Sequence, residues 1–162
     1  MSVLRLRGVR VLDDRVDLIV TVEGHDTPGL SSREAAVERL LAWLPGMVSH
    51  RCSTETSRPF IEEMRDTELP HLFEHIVLEV MACAGSPRDV SGHTVWRKGE
   101  QAFRVSVYDD DDAVCVSAAR AALTLLDSAL RDDITVDVDA IIGSVAAARV
   151  KPNRHPAAID PR

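Results

Sequence analysis

The sequence lacks both a long uninterrupted apolar segment and a secretion signal. No apolar run approaches the ~18 residues that a membrane span needs, and residues 1–14 contain neither a continuous apolar stretch nor a small-residue cleavage site. The cysteines, Cys52, Cys83 and Cys115, are odd in number and widely spaced, which is not typical of a disulfide framework. We therefore expect a cytoplasmic protein with reduced thiols and no membrane partner.

The sequence also lacks an excess of basic residues. It contains 19 Lys and Arg against 26 Asp and Glu, and its formal net charge is −7 at pH 7. Nucleic-acid backbones and anionic membranes are bound through Lys and Arg, so neither is expected as the main partner. The charge is compatible with a cationic ligand such as an arginine-rich peptide, and equally with simple solubility.

Length and composition indicate one globular domain. Apolar residues make up 45% and charged residues 28% of the 162 residues, as in folded soluble domains. A chain of this length buries one core and is too short for two ordinary domains. We assign residues 1–150 to this domain and expect the Pro-rich segment 151–162 to be a mobile tail.

Hydrophobic patterning predicts two pairs of adjacent strands. Residues 2–12 alternate apolar and polar side chains, and residues 15–24 are rich in β-branched residues. Residues 93–108 form a second hairpin. Apolar residues at helical spacing predict helices near 31–44, 69–84, 114–129 and 138–145. Because the strands occur in adjacent pairs, we predict an α+β single domain with an antiparallel or mixed sheet and helices packed mainly on one face.

Two segments allow more than one interpretation. The acidic run at 109–112 fits a helix N-terminus, where the macrodipole favours carboxylates. A calcium loop is the weaker alternative, because the EF-hand spacing and its terminal Glu are missing. Residues 133–138 are either a last edge strand or an extended link.

The helix predicted at 69–84 carries the pattern H-x-x-E-H. His71 and His75 are four residues apart, so both imidazoles can converge on one ion, and Glu74 lies beside the same space. Neutral imidazoles bind zinc, which lowers the pKa of water towards ~7, and a neighbouring carboxylate can take the proton. We therefore predict His71 and His75 as zinc ligands and Glu74 as the catalytic base. The alternative is a solvated helix face that happens to carry two histidines.

A catalytic zinc ion normally has three protein ligands and one open position. Glu79 is the nearest candidate for the third, although it lies eight residues, or ~12 Å of helix axis, from His71. Glu79 either reaches the metal or orients a histidine from behind. Other candidate ligands, orienting groups or substrate contacts are His50, Glu62, Glu63, His93 and Arg97. A third interpretation is a closed structural zinc site to which Cys52 and His50 contribute.

Residues 40–127 resemble the N-terminal domain of cyanophycin synthetase. The similarity is carried by Phe60 and by these segments: LPG at 44–46, HRCS at 50–53, HLFEHIVLEV at 71–80, SGHTVW at 91–96 and FRVSVYDDDDAVCVSAARAALTLL at 103–126. The most specific of them is H-x-x-E-H-x-x-x-E, from His71 to Glu79.

The resemblance implies polymer binding and, in some members, hydrolysis of polymer into primers at a metallopeptidase-like site. His71, Glu74, His75 and Glu79 match the motif positions of that site. The sequence departs from the family at GHTVW, where more basic residues are common, and at TETSRPF, which lacks the usual glycines. The substrate-facing surface is therefore expected to differ. The ligase domains of the synthetase are not among these residues, so a separate ATP-dependent ligase is a candidate partner.

Two functions of different classes follow. The first is a zinc-dependent peptidase or amidase that cleaves a peptide or isopeptide bond in a cyanophycin-like or arginine-containing peptide, with a homo-oligomer as a candidate assembly. The second is a non-catalytic docking module, without metal, for a polymer or a partner synthetase. We favour the first, because docking alone gives no reason for a water-activating Glu between two ligand histidines.

Overall fold

A computed structural model describes residues 2–23, 30–52 and 57–149, without the side chains of residues 30–32. The predicted tail at 151–162 lies outside the described residues. The described strands are β1 (Leu4–Val11), β2 (Val16–Val22), β3 (Ser91–Arg97) and β4 (Ala102–Tyr108). The helices are α1 (Leu30–Trp43), α2 (Phe60–Glu63), α3 (Leu69–Cys83), α4 (Asp112–Leu130) and α5 (Val138–Ala147), with a 3-10 turn at Pro45–Ser49.

The four strands form one antiparallel sheet in the order β1-β2-β4-β3. Both predicted hairpins are present, since β1 pairs with β2 and β3 pairs with β4. The α+β class and the packing of helices mainly on one face are therefore confirmed, and the described sheet is antiparallel and not mixed. This order makes β3 an edge strand of the described sheet, and α3 packs against it.

Alternation along the central strands divides the sheet into two faces. Val16, Leu18 and Val20 of β2 are fully buried, and they pair with β4 at Val107, Val105 and Phe103. Helices α3 and α4 pack on this apolar face, while α1 and α5 pack against α4. Side chains that alternate with period two and helices with an apolar stripe thus enclose one core.

Helix α4 is the longest of the described helices, and it is apolar in composition although charged residues interrupt it. Among the described residues, α4 is the one helix whose length and composition would allow it to cross a membrane. Its apolar character comes from alanines and leucines that are buried against α1, α3 and α5. The acidic run before it has the predicted capping role, because the Asp111 carboxylate accepts a hydrogen bond from the Val114 N–H at 3.1 Å. Residues 133–137 form a link between α4 and α5 and contribute no strand to the described sheet.

Helix α3 is buried on more than its apolar side. Leu72, Phe73 and Ile76 lie in the core as predicted. Glu74, His75 and Glu79 are only 4%, 2% and 1% exposed. The alternative of a solvated helix face is therefore wrong. The helix ends at Cys83, and Gly85 follows with a φ of +96°, which suits a glycine just after a helix C-terminus.

We expect Asp111→Ala to lower the free energy of unfolding by about 1 kcal/mol, since the substitution removes the helix cap of α4. Urea unfolding followed by circular dichroism measures the change. Asp110→Ala is the matched control, because Asp110 is an exposed neighbour in the same acidic run. Equal midpoints for the two variants would contradict the capping role.

Candidate metal centre on helix α3

Three donor atoms from two separate segments converge beside α3. Cys52, His71 and His75 each offer one ligand atom, and these atoms lie within 4.8 Å of one another. The Nε2 atoms of His71 and His75 are 3.3 Å apart. The Cys52 Sγ lies 3.8 Å from Nε2 of His71 and 4.0 Å from Nε2 of His75. A sulfur and two imidazole nitrogens are ligands of the kind that zinc prefers, so the group fits a metal ion.

Each histidine is held through the nitrogen that faces away from this group. The Nδ1 atom of His71 lies 2.7 Å from the Thr67 hydroxyl, which can donate or accept. The Nδ1 atom of His75 lies 3.1 Å from Nδ1 of His50. Metal-binding histidines usually have such a partner on their second nitrogen, which fixes the ring orientation. Both Nε2 atoms are therefore available to an ion.

The loop between the 3-10 turn and α2 brings Cys52 to the helix. Arg51 and Pro59 form an isolated antiparallel bridge. The Cys52 N–H donates to the Arg58 carbonyl at 3.1 Å, and the Phe60 N–H donates to the His50 carbonyl at 2.8 Å. These bonds pin both ends of the loop, so that His50 and Cys52 face α3 although they precede it by about 20 residues in the sequence.

Phe60 forms a wall of the centre. Its ring stacks on the His75 ring with centroids 3.6 Å apart and planes inclined by 10°. The same ring meets His71 in an edge-on contact at 5.3 Å. Phe60 is fully buried, so it excludes water from one side of His71 and His75 and restricts the rotation of their rings.

Glu74 lies at a cavity that the ligand group also borders. The cavity has a volume of about 160 Å³ and is lined by Cys52, Glu68, His71, Glu74, Gly92, His93 and Thr94. Its size suits a few water molecules or the reacting part of a substrate. The Thr94 hydroxyl donates to the Glu74 carboxylate at 2.5 Å. A Cβ atom at position 92 would lie 2.8 Å from Oε1 of Glu74, so only glycine lets the carboxylate lie against β3.

A second cavity meets Glu74 from the other side. It measures about 290 Å³ and extends from Ser49 and His50 to Arg88 and Ser91. Glu74 therefore separates two spaces along the edge of β3.

Glu79 belongs to a different environment from the donor group. Its Oε2 atom accepts hydrogen bonds from His50 Nε2 at 2.8 Å and from Arg88 at 3.1 Å. A Cβ atom at position 46 would lie 2.0 Å from its Oε1 atom, so Gly46 closes the pocket on the third side. These contacts favour the orienting role for Glu79 and not direct binding of the metal.

The remaining predicted residues lie at increasing distance from the donors. Glu63 accepts a hydrogen bond from the Cys52 thiol at 3.6 Å, outside the three-residue group. His93 is exposed at the mouth of the smaller cavity. Glu62 is exposed on α2, and Arg97 is exposed at the far end of β3. The structure does not bring Glu62 or Arg97 to the donor group.

Burial sets the protonation states of the centre. It lowers the pKa of His75 to about 2, with smaller contributions from His71 and His50, and it lowers the pKa of His71 as well. Both rings are thus neutral, as metal ligands must be. Burial and Glu63 raise the pKa of the Cys52 thiol to about 11, so metal binding would have to release its proton.

The two carboxylates of α3 shift in opposite directions. Burial raises the pKa of Glu74 to about 7, and the Thr94 hydroxyl opposes this only in part. Burial alone would also raise the pKa of Glu79, but hydrogen bonds from His50 and Arg88 outweigh it and lower the pKa. A carboxylate poised near neutrality suits a proton acceptor, whereas a firmly ionised one suits a fixed partner.

The sequence patterns placed Cys52 only in a structural-zinc alternative and assigned no site role to Thr67 or Thr94. Thr67 precedes His71 by four residues, the spacing at which two side chains meet on one helical face, so its contact had a local signal. Cys52 and Thr94 reach the centre through the loop and the sheet, and no local spacing indicates such contacts. The closed structural site is not favoured either, because both ring nitrogens of His50 are engaged elsewhere.

Comparison with known proteins gives one family match. The model of the cyanophycin synthase-like N-terminal domain matches residues 18–131. The match includes most of β2, helices α1 to α4, both strands of the second hairpin and all residues of the candidate metal centre. No curated protein matches the chain.

We expect Gly46→Ala to lower the free energy of unfolding by about 1–3 kcal/mol, the usual cost of overpacking a filled site. The added methyl group would displace the Glu79 carboxylate. Urea unfolding measures the change. Gly143→Ala is the matched control, since a Cβ atom there meets nothing within 4 Å. An unchanged midpoint for Gly46→Ala would mean that the close approach of Gly46 to Glu79 is wrong.

Proposed function

Because the chain belongs to the family of cyanophycin synthase-like N-terminal domains, we propose that it is a zinc-dependent hydrolase that cleaves a peptide or isopeptide bond. The observation that carries the proposal is the shared cavity. The donor residues Cys52 and His71 and the carboxylate of Glu74 all border it, so metal ligands and a proton acceptor meet where a substrate can enter. A purely structural zinc site would need neither the cavity nor the carboxylate.

The donor set supports zinc as the metal. Cys52, His71 and His75 supply one sulfur and two nitrogens, a set that hard ions such as Mg²⁺ and Ca²⁺ disfavour. Three protein ligands leave one position of a tetrahedral site open, which is typical of catalytic zinc. When bound, the ion would supply Lewis-acid activation of water and of the scissile carbonyl group.

Glu74 has the role of general base in this proposal. Its carboxylate would accept a proton from the attacking water and deliver it to the departing nitrogen. Thr94 and Gly92 hold the carboxylate at the cavity. Phe60 shields the histidines from bulk water. The chain thus provides the base, its orientation and the exclusion of solvent.

The substrate class is inferred from charge and from the family. The chain carries a net charge of −7, which favours a cationic substrate over an anionic one. Cyanophycin, the polymer in the family's name, contains arginine, so we propose a cyanophycin-like or other arginine-containing peptide. A separate ATP-dependent ligase remains a candidate partner that would make or extend this peptide.

The first test is the metal content of the purified, untagged protein. We expect about one zinc ion per chain by elemental analysis, and a strong loss of zinc in Cys52→Ser, because serine is a poor zinc ligand. Cys115→Ser is the control, since Cys115 lies on α4 and outside the donor group. A wild-type chain that takes up no zinc when zinc is offered would favour the docking alternative.

The second test asks whether Glu74 acts as the general base and not as a metal ligand. We expect Glu74→Gln to keep its zinc and to lose at least ~100-fold in hydrolysis, the usual contribution of a general base. The assay measures release of free amino groups from purified cyanophycin and from a panel of arginine-containing peptides. Glu38→Gln, an exposed change on α1, is the control. Full hydrolysis by Glu74→Gln would exclude Glu74 as the base.

A further inference from the structure

His50 occupies the space between a buried carboxylate and a metal-binding histidine. Its Nε2 atom lies 2.8 Å from Oε2 of Glu79, and its Nδ1 atom lies 3.1 Å from Nδ1 of His75. The His50 side chain is 14% exposed, and that of Glu79 is 1% exposed. Glu79 therefore reaches the metal centre through a second imidazole and not by direct contact.

The hydrogen positions in the hydrogen-bonded series Glu79–His50–His75 follow from one requirement. His75 must present an unprotonated Nε2 to bind a metal, so its proton lies on Nδ1 and is donated to His50. Nδ1 of His50 is then an acceptor, which puts the proton of a neutral His50 on Nε2. That proton is donated to Glu79, whose ionised carboxylate is an acceptor only. Each contact constrains the next, and the three residues admit one consistent arrangement.

The Glu79 end of this hydrogen-bonded series is fixed by further contacts. Arg88 donates to the same Oε2 atom of Glu79 at 3.1 Å, and the Cys83 thiol donates to Oε1 at 3.5 Å. The backbone of His50 is also held, because its N–H donates to the Met47 carbonyl and its carbonyl accepts from Phe60. Neither His50 nor Glu79 is therefore free to reorient independently.

We propose that His50 is a positioning residue that transmits the orientation of Glu79 to His75 and fixes the zinc-binding tautomer of that histidine. This inference rests on the proposed metal centre and adds a residue outside the donor group on which metal affinity depends. His71 differs, because its Nδ1 partner is a hydroxyl that can donate or accept. His75 is thus the ligand whose tautomer is set before the metal arrives.

The tautomer can be read directly in the metal-free protein. Long-range ¹H–¹⁵N correlation spectra of the imidazoles distinguish a proton on Nδ1 from one on Nε2. We expect His75 to carry its proton on Nδ1 in the wild type and to become a mixture of tautomers in His50→Ala. His50→Asn should retain the wild-type pattern, because its side-chain oxygen can take the place of Nδ1 as an acceptor. A His75 proton on Nε2 in the wild type would overturn the proposal.

The zinc affinity of variants tests whether Glu79 acts on the metal site through His50. By competition with a chelator, we expect His50→Ala to bind zinc 10–100-fold more weakly, the usual effect of losing such an orienting partner. Glu79→Gln should weaken binding in the wild-type background and have little further effect in the His50→Ala background, since its influence passes through His50. Val48→Ala is the control, an exposed change on the same 3-10 turn. If the double variant lost zinc affinity by the sum of the two single losses, the proposed relay from Glu79 through His50 to His75 would be wrong.

The failures of the two proposals are distinguishable. If the wild type binds no zinc, the metal centre fails, whereas the tautomer spectra still test the geometry of His50 and His75. If the wild type binds zinc and His50→Ala binds it equally well, the relay alone fails. If His50→Ala does not fold, His50→Asn decides. It should keep the His75 tautomer, because its oxygen replaces Nδ1, and it should lose zinc affinity about as far as Glu79→Gln does, because it no longer reaches Glu79. A mixture of His75 tautomers in a folded His50→Asn variant would exclude the proposal.

Discussion

The burial of three ionisable residues on one helix is the constraint on which the rest of the site depends. Glu74, His75 and Glu79 are almost entirely withdrawn from solvent on α3, and a buried polar group without a partner costs several kcal/mol, roughly 2–7 by transfer measurements. Each group therefore needs a partner from another element. Thr94 of β3 satisfies Glu74, and His50 from the loop before α2 satisfies both His75 and Glu79. The edge strand and the loop are held to α3 by these bonds as well as by apolar packing.

Two glycines make this burial geometrically feasible. Gly92 lets the Glu74 side chain lie against β3, and Gly46 lets the Glu79 carboxylate lie against the 3-10 turn. In both places a Cβ atom would be closer than non-bonded atoms approach each other. The reason for glycine here is proximity to a carboxylate, since neither residue has a positive φ. The backbone at Gly92 and at Gly46 thus leaves room for a buried carboxylate on each of two sides of α3.

The sequence predicts the parts of this structure that depend on local spacing. Period-two alternation identified both hairpins, and the spacing of apolar residues identified α1, α3, α4 and α5, because these patterns arise within one element. His71, Glu74 and His75 share a helical face for the same reason. Helix α4 is long and apolar in composition, but three charged residues interrupt it, so it contains no uninterrupted apolar run of the length a membrane span needs.

Contacts between elements could not be derived in this way. Cys52 and His50 reach α3 only because a bridged loop folds back on it, and Thr94 reaches Glu74 only because β3 is the strand beside α3. Glu79 shows the difference well. Its spacing from His75 allowed either metal binding or orientation, and the choice depends on His50, Arg88 and Gly46, none of which belongs to the helix.

The two glutamates of α3 show how environment can assign different roles to the same side chain. Among the described residues, Glu74 has one hydrogen-bond donor, the neutral Thr94 hydroxyl, and it borders two cavities. Burial therefore dominates and raises its pKa to about 7. Glu79 has an arginine and a histidine as donors and a closed pocket, so its pKa falls. Paired carboxylates whose pKa values are pushed apart divide acid–base chemistry from fixed electrostatic support in many hydrolases. The same division on α3 agrees with the proposed roles, in which Glu74 exchanges a proton with a substrate and Glu79 holds His50 and, through it, His75 in place.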